Sequence, residues 1–430
     1  MSESARDAAH AIWRAALIAG DVSPLVTRVL RREGEHVLIG DRPCPSRVRV
    51  FGCGKASGAM ALAAEHVLGE RIVDGLVVVK DGYTAATRRI RLAEAGHPVP
   101  DARGQAAALE IVERVRAAGA GELVLFLVSG GGSALTPAPA PPITLAEKQE
   151  TTRLLLAAGA TINELNAVRK HLSLLKGGQL ARAAAPAEVV SLILSDVVGD
   201  PLDVIASGPT APDRSTFAEA RAVLERKGVA ARVPAAVRQR LTAGADGSIE
   251  ETPKPGDRLF DRVRNLIIGN NALVVDEAAA AARRLGYRAE LLTRSLQGEA
   301  RDAARDLVTR ARALPPRTCL IAGGETTVTV RGAGRGGRCQ EFALAAALEL
   351  RPGEALTILA AGTDGTDGPT DAAGGLVDAG TVRRGEAAGS SSHSALDDND
   401  AYTFLTAAGD LVRSGPTNTN LLDLYLVLKS

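Results

Sequence analysis

At 430 residues, 46% of them apolar and 23% charged, the chain is longer than one hydrophobic core usually organises, so at least two domains are expected. Its 51 basic and 50 acidic side chains leave a formal charge of +1 and aromatics make up only 3%, which excludes nucleic-acid binding by bulk charge or base stacking. The 4 cysteines and 6 histidines show neither a disulfide framework nor metal-ligand spacing, so reduced thiols in a cytoplasmic protein are expected, and no zinc site.

The opening segment, MSESARDAAHAIWRAALIAG, carries charge throughout and has no long apolar run. It reads as an amphipathic helix and not as a signal peptide or membrane span. The chain then repeats one plan: a short β-branched run, a loop rich in Gly, Ser or Asp, and an Ala- and Leu-rich helical stretch. Such runs fall at 48–51, 76–79, 123–128, 189–194, 266–268, 319–322 and 356–360. Apolarity that is continuous and not alternating predicts strands covered on both faces, as in a parallel sheet flanked by helices, and so an α/β fold. The polar stretch 243–257, with two prolines, marks the predicted division between a domain at 1–245 and another at 255–430.

Ligands of open α/β sheets bind beyond the carboxyl ends of the strands, so the loops there are the candidates for chemistry. In GCGKASG (52–58) neither a dinucleotide fingerprint nor a P-loop is complete, because Ser57 replaces the third glycine and Ala56 follows the lysine. What remains is Gly54 followed by Lys55 at a helix N-terminus, where a cation opposes the dipole unless an anion is bound. In SGGGSA (129–134), Ser129, Gly130, Gly131, Gly132 and Ser133 could converge N–H and O–H donors on phosphate oxygens. Asn166, Arg169 and Lys170 share one side of a helix predicted to close at Gly177 and could together bind an anion, with Lys176 complementing its C-terminal dipole and His171 packed or capping.

Further along, Asp196 and Asp200 follow a buried strand, and Asn270 and Glu325 stand in loops of the same kind. Arg335 and Arg338 precede a helix in GAGRGGRCQE, where the planar fork of Arg338 suits a carboxylate or a phosphoryl group; the structural alternative is pairing with Glu341. Asp364, Asp367 and Asp371 are too irregular for a calcium loop, but Asp364 and Asp367 suit Mg²⁺, which takes one or two carboxylates plus phosphates. Structural Asp-Gly turns are the alternative reading.

Taken in order, FGCGKASGAMA, AGHPVPD, SGGGSAL, the segment 159–181, LSDVVGDPLDVIASGPTAPD, GGETTVTVRGAGRGGRCQEFALA, AAGTDGTDGPTDAAGG and SGPTNTNLLDLYLVL resemble the class II glycerate kinases. Members of that family, whose C-terminal part is called the MOFRL domain, were often labelled hydroxypyruvate reductase. The resemblance implies an N-terminal Rossmann-like α/β/α domain, a smaller C-terminal α/β domain with the MOFRL region at about 315–425, and Mg²⁺- and ATP-dependent phosphorylation of D-glycerate at its 2-hydroxyl in an interdomain cleft. It also implies that Lys55, Asp196 and Arg338 form the catalytic core. Cys339, Asn418 and Leu422 depart from the family pattern, which bears on substrate preference. The partners are therefore small molecules, with no nucleic acid or membrane, and a homo-oligomer is compatible with the sequence. Two rivals stand beside this reading: an NAD(P)-dependent hydroxypyruvate reductase, favoured by Asp81 after the second strand but not by Ser57, and a non-catalytic sugar-acid sensor.

Overall fold

Each apolar run read as a strand lies within a strand of the computed structural model, which describes residues 4–430. The chain divides into two units, Val22–Ile268 and a second made of Gly269–Ser430 together with the beginning of the chain up to Asp21.

In the first unit a six-stranded sheet has the order Arg91–Ala95, Ile72–Lys80, Val48–Cys53, Leu123–Val128, Glu188–Leu194, Val263–Gly269. Its first five strands are parallel, with Val50 opposite Gly75 on one side and Leu125 on the other. Phe51, Leu76, Val78 and Phe126 pack into one core with Ala108, Ile111 and Val115 of the helix Ala102–Arg116. Asp101 starts that helix by accepting from Gly104 N at 2.8 Å. The helices Leu145–Ala157, Ile162–His171 and Phe217–Arg226 each begin at a threonine with a glutamate three residues on, and all three form the reciprocal capping box. Their apolar faces make a second core around Leu155, Val168, Phe217 and Leu241. A three-stranded antiparallel meander at residues 30–43 precedes the sheet.

The chain winds outward from Val48–Cys53 through two strands and returns to its other side with Leu123–Val128. The loops after these two neighbours therefore depart in opposite directions, which opens a crevice at their carboxyl ends.

The second unit also has a six-stranded sheet, in the order Arg288–Leu296, Thr318–Gly324, Asp423–Lys429, Leu356–Gly362, Gly374–Asp378, Leu411–Val412. Only the first pair is parallel; the other four pairings are antiparallel, contrary to the sequence expectation. Continuous apolarity reports cover on both faces and is blind to strand direction. Phe342 and Tyr425, 4.6 Å apart between ring centroids, sit in the core of this unit.

Two boundaries differ from the sequence reading. The amphipathic helix Ala5–Ala19 belongs to the second unit, where Ile12, Trp13 and Ala16 are buried, it packs on the helix Asn271–Arg284, and Arg6 pairs with Asp378 and Asp410. The polar stretch 243–257 lies inside the first unit because its polar groups have buried partners: Thr252 donates to Asp213 at 3.0 Å and Glu251 accepts from Phe217 N at 2.8 Å. Among the described residues no helix is long and apolar enough to cross a membrane.

Candidate functional site

The loops 52–58 and 129–134 of the first unit are stitched to each other at the crevice. Lys55 N donates to Gly130 O at 2.9 Å and Ser129 N to Cys53 O at 3.1 Å. The Ser129 hydroxyl, buried in the joint, accepts from Ala56 N at 3.0 Å and lies 3.0 Å from Ser57 Oγ. Ser129 thus holds the two loops in register, which differs from the phosphate contact predicted for its side chain. Gly54 has φ +134° and a Cβ there would lie 2.2 Å from Ser129 Oγ, so only glycine allows so close an approach. Gly131, at φ +83°, turns the chain into the short helix Gly132–Leu135 beneath the His97 ring.

Around these loops lies a cavity of about 850 Å³, all of whose walls come from the first unit. His97, Gly131, Gly132, Ser133, Lys148, Arg169, Lys176 and Asp196 line it, with apolar surface from Val99, Leu145, Leu156 and Ala206. Burial pushes the His97 imidazole down to about 4, helped by the charges of Lys55 and Lys80, so it is neutral at pH 7.

Lys176 is buried and its Nζ donates to Ser133 O and Ser133 Oγ, both at 2.8 Å. From Ser133 Oγ a chain of hydroxyls continues to Ser207 Oγ at 3.0 Å and on to Asn166 Oδ1, a further 3.0 Å. Lys176 is therefore no exposed C-terminal dipole partner: the predicted helix stops at His171, and the turn after it carries the lysine inward. Burial lowers the Lys176 ammonium well below its ordinary value, and Lys148 and Arg169 lower it further. Burial also pushes Lys148 down to about 7, with a smaller contribution from Arg169.

Lys170, predicted to bind an anion with Asn166 and Arg169, is buried and paired with Asp213 at 3.2 Å and Asp203 at 3.3 Å. Its charge is spent inside the helical layer. His171 packs on Phe217 and bonds Ala167 O at 2.7 Å, as expected of a packed histidine.

The second unit carries the remaining predicted residues. Arg338 opens the helix Arg338–Glu349 and grips Asp423 with two bonds, Nε to Oδ2 at 2.6 Å and Nη2 to Oδ1 at 2.9 Å, while Nη1 meets Glu325 at 3.0 Å. Burial alone would lower the guanidinium, but Asp423 holds it well above its ordinary value. Glu341, the alternative partner weighed from the sequence, pairs with Arg301 instead. Asn270 caps the helix Asn271–Arg284 by accepting from Leu273 N at 3.2 Å.

For Mg²⁺, the two predicted aspartates differ. Asp367 is buried and accepts from Cys339 N at 3.2 Å and Gln340 N at 2.8 Å, which makes it an anionic cap on the helix that Arg338 opens. Burial pushes its carboxyl up to about 7. Asp364 accepts from Thr366 N at 3.1 Å and Thr366 Oγ1 at 3.2 Å through Oδ1. Among the described residues no three His, Cys, Asp or Glu side chains converge to hold a metal ion. A fit to Mg²⁺ thus rests on Asp364 with nucleotide phosphates supplying other oxygens.

The sequence reading gave no site role to His97, Lys148 or Arg153 of this cavity, and took Lys176 only for a helix-terminal charge. His97 stands in the AGHPVPD segment, which was available as a signal, whereas Lys148 is one lysine among polar residues of a capped helix.

Residues 8–242 match the Domain of unknown function (DUF4147) and residues 318–423 match the MOFRL family. A D-glycerate 2-kinase of Thermotoga maritima is 44% identical over 390 residues, covering 89% of this chain and 90% of the relative. The human glycerate kinase is 38% identical, covering 97% of this chain and 92% of its own. A crystal structure of a glycerate kinase from Thermotoga maritima superposes with a TM-score of 0.88 at 41% identity, covering 99% of both chains. With both domains matched in order and such identity over nearly the full length, the chain belongs to the glycerate kinase (MOFRL) family.

Proposed function

We propose that this protein transfers the γ-phosphoryl group of ATP to the 2-hydroxyl of D-glycerate. The observation that carries the reading is the cavity at the switch point of the parallel sheet. It is cation-rich, of nucleotide size, and built by the loops whose sequences carry the family resemblance. Similarity to enzymes named D-glycerate 2-kinase and glycerate kinase supports the reaction and its regiochemistry.

Phosphoryl transfer asks the protein for in-line positioning and neutralisation of charge on the moving group. N–H groups of the 130–133 turn other than that of Gly132, which donates to Ser129 O, together with Lys55 beside Gly131 and Arg169 in the cavity wall, supply donors and positive charge for phosphate or carboxylate oxygens. Asp196, in the same wall, orients the accepting hydroxyl and takes its proton late. Lys176, held on Ser133, fixes the phosphate turn from behind. In the second unit Asp423 and Glu325 preset the guanidinium plane of Arg338 for an oxyanion. Mg²⁺, held through Asp364, would neutralise charge on the phosphates when bound.

The test is purified protein with D-glycerate, ATP and Mg²⁺, following ADP release and identifying the product by phosphorus NMR. Glycerate-dependent ADP release with 2-phosphoglycerate as product is expected. Absence of turnover together with hydroxypyruvate-dependent oxidation of NADH or NADPH would overturn the reading.

A further inference from the structure

Lys148 is a buried cation without a partner in the first unit. It lies in the first turns of the helix Leu145–Ala157, so its charge opposes the helix dipole as well as being out of water. Its Nζ is buried and, unlike those of Lys170 and Lys176, has no hydrogen-bond partner. It forms part of the cavity wall. An unsatisfied buried ammonium destabilises a fold unless it deprotonates or finds an anion.

The groups around it do not supply that anion. Arg169 is a cation that acts on it electrostatically, and Lys176, on which Lys148 acts in turn, is another basic group. His97 is neutral. Of the two carboxylates in the cavity wall, Glu150 is committed to Arg153 through two bonds of 2.8 and 2.7 Å. The other, Asp196, is a single negative charge in a wall that also holds Arg169, Arg153, Lys148 and Lys176. The cavity therefore keeps a surplus of positive charge.

We infer that Lys148 is a binding residue of this cavity: an anionic oxygen of the ligand, carboxylate or phosphate, completes its hydrogen bonding, and the lysine is fully charged only in the complex. The inference rests on the kinase reading for the identity of the ligands, the carboxylate being that of the hydroxy acid and the phosphate that of the nucleotide. It adds a consequence that reading does not contain. Ligand binding draws a proton from solvent, because the free protein holds the amine partly neutral near pH 7 whereas the ligand's negative charge restores the ammonium.

Lys148→Met preserves length and removes the amine. At pH 7 a rise of at least roughly tenfold in one KM is expected, with kcat within about threefold, as for loss of a charge-assisted hydrogen bond made in the ground state. A rise in the ATP constant assigns the contact to phosphate, and a rise in the glycerate constant assigns it to carboxylate. The ligand-free variant should unfold at a temperature equal to or above that of the wild type, since a destabilising charge has been removed; a structural lysine would give the opposite sign. Titration of ATP and of D-glycerate, each alone, in two buffers of different ionisation enthalpy at about pH 8 reads proton uptake without turnover. Uptake by the wild type and none by the variant supports the inference even if no ADP is ever released, in which case only the kinase reading falls. Two unchanged KM values, or proton uptake that persists in the variant, would overturn it while leaving the kinase reading in place.

Discussion

A lysine in a sequence says little until its surroundings show whether water reaches its ammonium. Lys55 stands out as a candidate in the sequence because it follows Gly54 just ahead of a helix, where the dipole disfavours a cation unless an anion is bound. Lys176 was misread by the same rule, since a cation after a helix normally complements the dipole, and only the turn that follows His171 reveals that it points inward to Ser133. Lys170 looked available and is spent on Asp213. Lys148 offered no signal, because what singles it out is the absence of neighbours that only packing can create. For Lys55 the expectation is sharp. If it stabilises charge that develops on the phosphoryl group, Lys55→Ala should lower kcat by roughly a hundredfold with a smaller change in KM, as for loss of one preorganised donor. Steady-state rates at saturating ATP and glycerate would show it, and a change confined to KM would make Lys55 a ground-state contact.

Elements were most readable where burial is uniform. The strand Leu123–Val128 is buried throughout and was placed to the residue, whereas Arg91–Ala95 and Arg288–Leu296, edge strands with exposed charged positions, were missed. Edges satisfy only one neighbour, so their sequences need not be apolar. Just ahead of Leu123–Val128, Glu122 ties that strand to its neighbour by accepting from Arg47 at 2.7 Å and Arg49 at 2.8 Å. Arg49 above all holds the Glu122 carboxyl down at about 2, against 4.5 ordinarily. Because the folded value is depressed, the stabilisation is present above about pH 4.5 and is lost as pH falls toward 2. Urea unfolding of Glu122→Gln should accordingly show a deficit relative to the wild type at pH 7 that closes as both are acidified; a deficit independent of pH would mean that Glu122 acts by packing alone.

For the whole molecule, the α/β class and the presence of two units followed from the sequence, but the path of the chain through them did not. Prolines and polar residues at 243–257 resemble a linker until their buried partners are seen, and a helix at the N-terminus gives no hint that its apolar face awaits residues beyond 268. Trp13 measures that dependence. It is buried within the second unit, so Trp13→Ala should cost that unit about 3–5 kcal/mol, read as an early urea transition. A single unshifted transition would show the helix to be dispensable. The same discontinuity bears on synthesis. The unit Val22–Ile268 is contiguous and can fold as it leaves the ribosome. The unit bearing Arg338 is not contiguous, because its helix Ala5–Ala19 precedes the whole of the first unit and the strand Asp423–Lys429, which lies inside its sheet between Thr318–Gly324 and Leu356–Gly362, follows the rest of that sheet. Its core therefore closes only once Asp423–Lys429 has been made, and until then the stripe of Ile12, Trp13 and Ala16 is an apolar surface for a chaperone to shield.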